Sequence, residues 1–136
     1  MKLIILDRDG TINEDRDDFV KSPAEWMPIP GSLEAIARLN HAGWHTVVAT
    51  NQSGLARGLF DISALNAIHA RMNRELADVG GRIDAVFFCP HGPDDGCSCR
   101  KPRIISPAPT SSTIESATSA TRSALRLPLP LALDPR

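Results

Sequence analysis

Aromatic side chains are scarce in this chain: they make up 4% of its 136 residues, and tyrosine is missing altogether. A folded core must therefore be aliphatic, which the 42% hydrophobic share allows. A base-stacking platform for single-stranded nucleic acid has little to be built from. An excess of one charge is missing too, since 15 Lys+Arg face 16 Asp+Glu for a formal net charge of −1. That balance offers no basic face to a phosphate backbone or an anionic bilayer, so neither a nucleic-acid nor a membrane partner is expected. No apolar run nears the ~20 residues that a membrane-spanning helix needs. The stretch Leu3-Ile4-Ile5-Leu6 meets a charge too soon to be the core of a secretory leader, so a cytoplasmic location is expected. The length predicts one domain, taken here as a monomer. Cysteine is limited to 3 residues, an odd count crowded between positions 89 and 99, which makes a poor disulfide framework.

What is present alternates. Leu3-Ile4-Ile5-Leu6 reads as a strand covered on both faces. Residues 13–31 hold Pro23, Pro28 and Pro30 and read as irregular. Ser32 is placed to cap a helix with Leu33, Ile36, Ala37 and Leu39 facing inward, and Gly43 ends it. Val47-Val48-Ala49 reads as a second strand. Ser63 is placed to cap a second helix, whose stripe is Leu65, Ile68, Met72, Leu76 and Val79 before Gly80-Gly81. Ile83 to Phe88 reads as a third strand. Strand, helix, strand, helix, strand predicts an α/β fold with a parallel sheet and flanking helices. Trp26 and Trp44 read as packing residues, and His41, His45 and His69 carry no assigned role.

Asp7 and Asp9 follow the first strand directly, with Gly10 permitting an unusual backbone path. Ligands of parallel sheets sit at such carboxyl ends. Two crowded carboxylates repel unless a cation or a shared proton intervenes, and Mg²⁺ suits oxygen ligands of this kind. One carboxylate can then attack phosphorus while the other moves protons. A bare D-x-D is nevertheless more often a solvated acidic turn, and Arg100 and Lys101 taken alone are ordinary solvated charges.

Cys89-x-His91-x5-Cys97-x-Cys99 supplies three thiols and one imidazole, the donor set of a structural Zn²⁺ site, on a loop bent by Pro90, Gly92, Pro93 and Gly96. The alternative is three free thiols beside a surface histidine.

Three segments in order, Asp7-Arg8-Asp9-Gly10-Thr11, Thr50-Asn51-Gln52-Ser53-Gly54 and Arg100-Lys101-Pro102, together resemble the signatures of the haloacid dehalogenase (HAD) superfamily of phosphatases. Within it, the spelling DRDGTIN, TNQSG and CPH…CxCRKP is similar to the heptose-bisphosphate phosphatases, with histidinol-phosphate phosphatases as the alternative. The resemblance implies a HAD-like, Rossmannoid sheet. It also implies Mg-dependent hydrolysis of a small sugar phosphate, the 7-phosphate of a heptose 1,7-bisphosphate, in lipopolysaccharide precursor synthesis.

By the same resemblance Asp7 is the nucleophile and Asp9 the general acid/base. Mg²⁺ takes the Asp7 carboxylate and the Asp9 carbonyl. Thr50 holds the transferring phosphoryl group, with Asn51, Gln52 and Ser53 lining the site. Lys101 offsets charge, Arg100 selects substrate, and Asp15, Arg16, Asp17 and Asp18 lie where sugar is contacted. The zinc loop, 89–99, is structural.

The resemblance covers residues 1–103, the expected phosphatase core. Residues 104–136 are dominated by Ser, Thr, Pro and Ala and read as a low-complexity tail. The family continues with a Gly-Asp motif on a fourth strand. This tail has none, and its only acids are Glu115 and Asp134. A divergent or frame-shifted end is therefore expected, leaving a truncated sheet with the first strand's edge bare, or else an inactive zinc-binding fragment. A Gly-Asp motif in a shifted frame of the gene would support the frame shift.

Overall fold

A computed structural model of the chain describes residues 1–103. The readings of 104–136, with Glu115 and Asp134, lie outside the described residues. The sheet has three strands, β1 (Lys2–Leu6), β2 (Trp44–Asn51) and β3 (Ala85–Cys89), in the order β1-β2-β3. Both pairings are parallel, with Ile5 opposite Val47 and Ala49 opposite Phe87. Helices α1 (Ser32–His41) and α2 (Ile62–Asp78) form the connections and touch each other. Together they make the expected parallel sheet with flanking helices.

β2 is paired on both sides, and Thr46 to Thr50 are all buried. β1 has one partner among the described residues and is only partly buried over Leu3 to Leu6. The expected bare edge is therefore present within 1–103. β2 reaches further than its apolar run predicted, whereas β3 begins at Ala85, later than the expected Ile83, and ends at Cys89, beyond Phe88. Ladder bonding extends β2 through polar Trp44–Thr46 and Thr50–Asn51, and carries β3 on to Cys89. This brings the motifs themselves to the strand ends.

The helix caps differ from expectation. α1 begins at Ser32 after Gly31, which takes φ +85°, and the Ser32 hydroxyl donates instead to the Ile12 carbonyl at 2.7 Å. Ser32 thus ties α1 to the loop behind the first motif. α2 is capped by Asp61, whose carboxylate accepts from Ala64 N at 2.8 Å, and Ser63 lies inside the helix. Of the predicted stripe, Leu65, Ile68, Met72 and Leu76 are buried and Val79 is exposed beyond the last turn. In α1 the inward position expected of Leu39 is taken by Asn40, which accepts from Arg82 N and donates to the Trp44 carbonyl.

The core joins Ile12, Val20, Trp26, Leu33, Ile36, Val48, Ile68, Met72 and Leu76. Trp26 is buried and packs as predicted, whereas Trp44 is only half-buried at the start of β2. Arg71 of α2 lies over the Trp26 ring, 5.6 Å from its centroid, and donates to the Pro23 carbonyl. These contacts pin the loop 13–31 to α2. Met72 is fully buried in that cluster, so Met72→Ala is expected to cost about 3 kcal/mol of stability. Urea denaturation measures this, and a loss under about 1 kcal/mol would mean that the site collapses around the smaller side chain. Among the described residues, no helix is long and apolar enough to cross a membrane.

Candidate active site

The carboxyl end of β1 turns sharply. The Arg8 carbonyl accepts from the N–H groups of Thr11, Ile12 and Asn13, and Gly10 takes φ +79°. This positive φ is what the motif glycine permits at little cost. The turn leaves Asp7 and Asp9 at the strand end and places Arg8 between them, fully buried.

Asp7 Oδ1 accepts from Arg8 N at 2.8 Å and lies 2.8 Å from Lys101 Nζ. No hydrogen bond to Oδ2 is found among the described residues, so that oxygen is left for a ligand. Burial pushes the Asp7 carboxyl above its ordinary value, against the pull of Lys101 and the Arg8 N–H. Lys101 is itself almost wholly buried, and its ammonium makes the charge contact with Asp7 without an aligned hydrogen bond. Its charge therefore bears on Asp7 from beneath the cleft.

Asp9 is held from several sides. Its Oδ1 accepts from Arg8 Nε at 3.2 Å, Arg8 Nη2 at 2.9 Å and Asn13 Nδ2 at 3.0 Å, and its Oδ2 from Gln52 Nε2 at 3.0 Å. No donor among the described residues meets the Asp9 carbonyl. A free carboxylate oxygen on Asp7 beside a free carbonyl on Asp9 is an all-oxygen donor set that fits Mg²⁺.

A cleft of about 260 Å³ opens over this pair, lined by Asp7, Asp9, Asp15, Arg16, Phe19, Val20, Asn51, Ser53 and Arg100. Three strand ends and the loop 13–31 therefore meet where the sequence placed the site. Not every expected residue lines it. Asp17 is exposed outside it, and Asp18 pairs with Arg16 at 3.0 Å and Lys21 at 3.0 Å. Thr50 and Gln52 are buried below the floor, with Gln52 Nε2 donating to the Thr50 hydroxyl at 2.9 Å as well as to Asp9. The geometry thus makes Gln52 a brace for Asp9 where lining was expected. Gly54 follows because any Cβ there would collide with the Phe60 ring.

Arg8, Asn13 and His69 were not singled out by sequence. Arg8 and Asn13 sit inside the first motif, and their burial was the missing signal. His69 Nε2 lies 3.2 Å from Arg8 Nη1, a contact across 61 residues that no local pattern announces.

Cys89, His91, Cys97 and Cys99 converge at the end of β3, their ligand atoms all within 4.8 Å of one another. Cys89 Sγ is 3.5 Å from Cys97 Sγ and 3.2 Å from Cys99 Sγ, and His91 Nδ1 is 3.2 Å from Cys99 Sγ. Tetrahedral Zn²⁺ with bonds of ~2.3 Å to sulfur needs edges of ~3.7 Å, which lies between these short separations and the 4.8 Å that bounds the whole set, so the donors suit the ion. Burial pushes Cys89 up to about 12. At Cys97 burial acts upward too, but the Cys89 hydrogen bond and the Arg100 and Cys99 backbone N–H groups outweigh it and bring the thiol down to about 6.

The loop joins the cleft through Arg100, whose Nη1 donates to the His91 carbonyl at 3.3 Å. Lys101 N joins it too, donating to Asn51 Oδ1 at 3.0 Å.

No protein-family model matches the chain. Over 102 residues it is 71% identical to a D-glycero-beta-D-manno-heptose-1,7-bisphosphate 7-phosphatase of Bordetella bronchiseptica, covering 75% of this chain and 57% of that protein. A probable D-glycero-D-manno-heptose-1,7-bisphosphate 7-phosphatase of Thermoplasma volcanium is 38% identical over 102 residues, 75% of this chain and 69% of the relative. A crystal structure of the D,D-heptose 1,7-bisphosphate phosphatase from B. bronchiseptica, complexed with magnesium and phosphate, superposes with a TM-score of 0.75 at 69% identity. It covers 76% of this chain and 58% of that one. The chain thus spans under two thirds of the length of its Bordetella relative.

Proposed function

Because this chain belongs to the family of D-glycero-D-manno-heptose-1,7-bisphosphate 7-phosphatases, we propose that its core, 1–103, is built for Mg-dependent removal of the 7-phosphate from such a bisphosphate. The observation that carries the reading is the Asp7–Lys101 pair at the floor of the cleft. It joins a carboxylate with one oxygen free of hydrogen bonds among the described residues to a buried cation.

That geometry supports the following division of roles. A carboxylate oxygen of Asp7 attacks phosphorus, the bond from phosphorus to the sugar oxygen breaks, and Asp9 gives that oxygen a proton. Asp9 then takes a proton from water, whose oxygen attacks phosphorus and displaces the Asp7 carboxylate. Lys101 offsets the charge of nucleophile and phosphate, and the Thr50 hydroxyl, accepting from Gln52, keeps its own proton to donate to a phosphoryl oxygen. Asn51 commits its Oδ1 to Lys101 N and so presents its amide N–H₂ beside Ser53. Arg100, with Asp15 and Arg16 across the cleft, meets the sugar and its second phosphate.

Mg²⁺, held by the Asp7 carboxylate and the Asp9 carbonyl, supplies further charge neutralisation when bound. Zn²⁺ on Cys89, His91, Cys97 and Cys99 has a closed ligand set and a structural role. The acting unit is a cytoplasmic monomer, with 104–136 a low-complexity appendage.

The test is phosphate release by the full 136-residue chain with Mg²⁺, from heptose 1,7-bisphosphate and from histidinol phosphate in competition. Preferred release from the heptose is expected. Release from histidinol phosphate alone would move the substrate assignment, and release from neither would end the phosphatase reading for this chain.

A further inference from the structure

His69 stands in the middle of α2, next to Ile68 of the buried stripe Leu65, Ile68, Met72 and Leu76. It is nearly buried, and the mechanism above makes no use of it. Its Nε2 faces Arg8 Nη1 at 3.2 Å. A guanidinium only donates, so Nε2 must be the bare, accepting nitrogen and the ring proton must sit on Nδ1. Burial, and secondarily the Arg8 charge, hold this imidazole down to about 3, which keeps Nε2 free of a proton across the neutral range.

Arg8 is fully buried and makes no contact with the cleft, so it is not a substrate-binding arginine. Two of its nitrogens, Nε and Nη2, grip Asp9 Oδ1 side-on, and the third, Nη1, ends on His69. Asn13 and Gln52 complete the grip on the two Asp9 oxygens. Asn13 and Gln52 belong to the motif turns at the cleft, whereas His69 belongs to a regular helix packed into the core. A helix is the more rigid support for a group that must be held to a fraction of an ångström. Without an acceptor at 69, one buried Arg8 N–H would lack a partner, and the guanidinium would be free to tilt about its own axis.

We propose that His69 is a positioning residue: its bare Nε2 locks the buried Arg8 guanidinium, and Arg8 fixes the orientation in which Asp9 transfers protons. This rests on the reading of Asp9 as the acid/base group.

Two variants of the full chain test it. His69→Phe keeps ring volume and removes the acceptor, and His69→Gln removes the ring and keeps an acceptor. In nitrogen-edited NMR spectra, wild-type His69 is expected as the Nδ1–H tautomer. The Arg8 side-chain N–H protons are expected to exchange slowly in wild type and His69→Gln and quickly in His69→Phe. In steady-state phosphate release from heptose 1,7-bisphosphate, His69→Phe is expected to lower kcat about tenfold to a hundredfold with KM held within about twofold, and His69→Gln to recover most of that loss.

Equal protection of Arg8 in all three proteins would overturn the proposal. So would equal loss of kcat in both variants, which marks a merely structural histidine, or unchanged kcat in His69→Phe. Absence of wild-type turnover would instead sink the phosphatase reading, and this role with it.

Discussion

Asp7→Asn is expected to lower phosphate release from heptose 1,7-bisphosphate by about 10⁴-fold or more, because Asp7 is the cleft carboxylate assigned the bond to phosphorus and keeps an oxygen without a hydrogen bond among the described residues. An amide is isosteric with the carboxylate but is not a comparable nucleophile. The variant also meets Lys101 with a neutral partner where wild type has an ion pair at 2.8 Å. Folding must therefore be checked beside activity, and pH provides the means. Burial raises the Asp7 carboxyl above its unfolded value. A group raised in the folded state binds more protons there, so it takes stability away as pH climbs from the unfolded to the folded value. In Mg-free buffer the unfolding free energy of Asp7→Asn is expected to be flatter across the acid range than that of wild type. Residual release within about tenfold of wild type would exclude Asp7 as the nucleophile.

Loss of zinc is the second large effect. Apparent zinc affinity of such sites is worth ~10–16 kcal/mol, comparable with the ~5–15 kcal/mol that holds a whole domain together. Cys99 is followed at once by Arg100 and Lys101, and Cys97, which shares the cluster, is two residues before Cys99. Removing a metal held there would therefore release the segment that places Lys101 on Asp7. Cys99→Ser, or stripping by a chelator followed by Mg²⁺ repletion, is expected to cut phosphate release about a hundredfold, the usual cost of misplacing a charged group by about 1 Å. Elemental analysis should find one zinc per wild-type chain and none in the variant. A zinc-free chain with full activity and unchanged melting would show that Asn51 and β3 alone hold the loop.

Much of this site was legible because its residues follow strand ends. Parallel sheets gather such ends on one edge, so motifs 40 to 50 residues apart meet once the strands are identified. Asp7, Asp9, Asn51, Ser53 and Arg100 reach one cleft in this way. Lys101 joins them from below. The convergence of Cys89, His91, Cys97 and Cys99 was equally legible, because four donors within a short loop need little tertiary help. The helix starts were misread at Ser32 and Ser63 because a hydroxyl near a helix start has competing acceptors. Ser32 found the Ile12 carbonyl, and Asp61 reached Ala64 N first.

The residue types and spacing of the motifs were enough to point to the family, to the Cys/His cluster and to the order of strands and helices, since each depends on neighbours in sequence. Which groups line the cleft and which brace it depended on contacts across tens of residues. Gln52 turned beneath the floor to Asp9, Asp18 turned outward to Arg16 and Lys21, and His69 came in from α2 to meet Arg8. A side chain's facing is settled by what packs against it, and that packing exists only once β1, β2 and α2 have closed around Arg8.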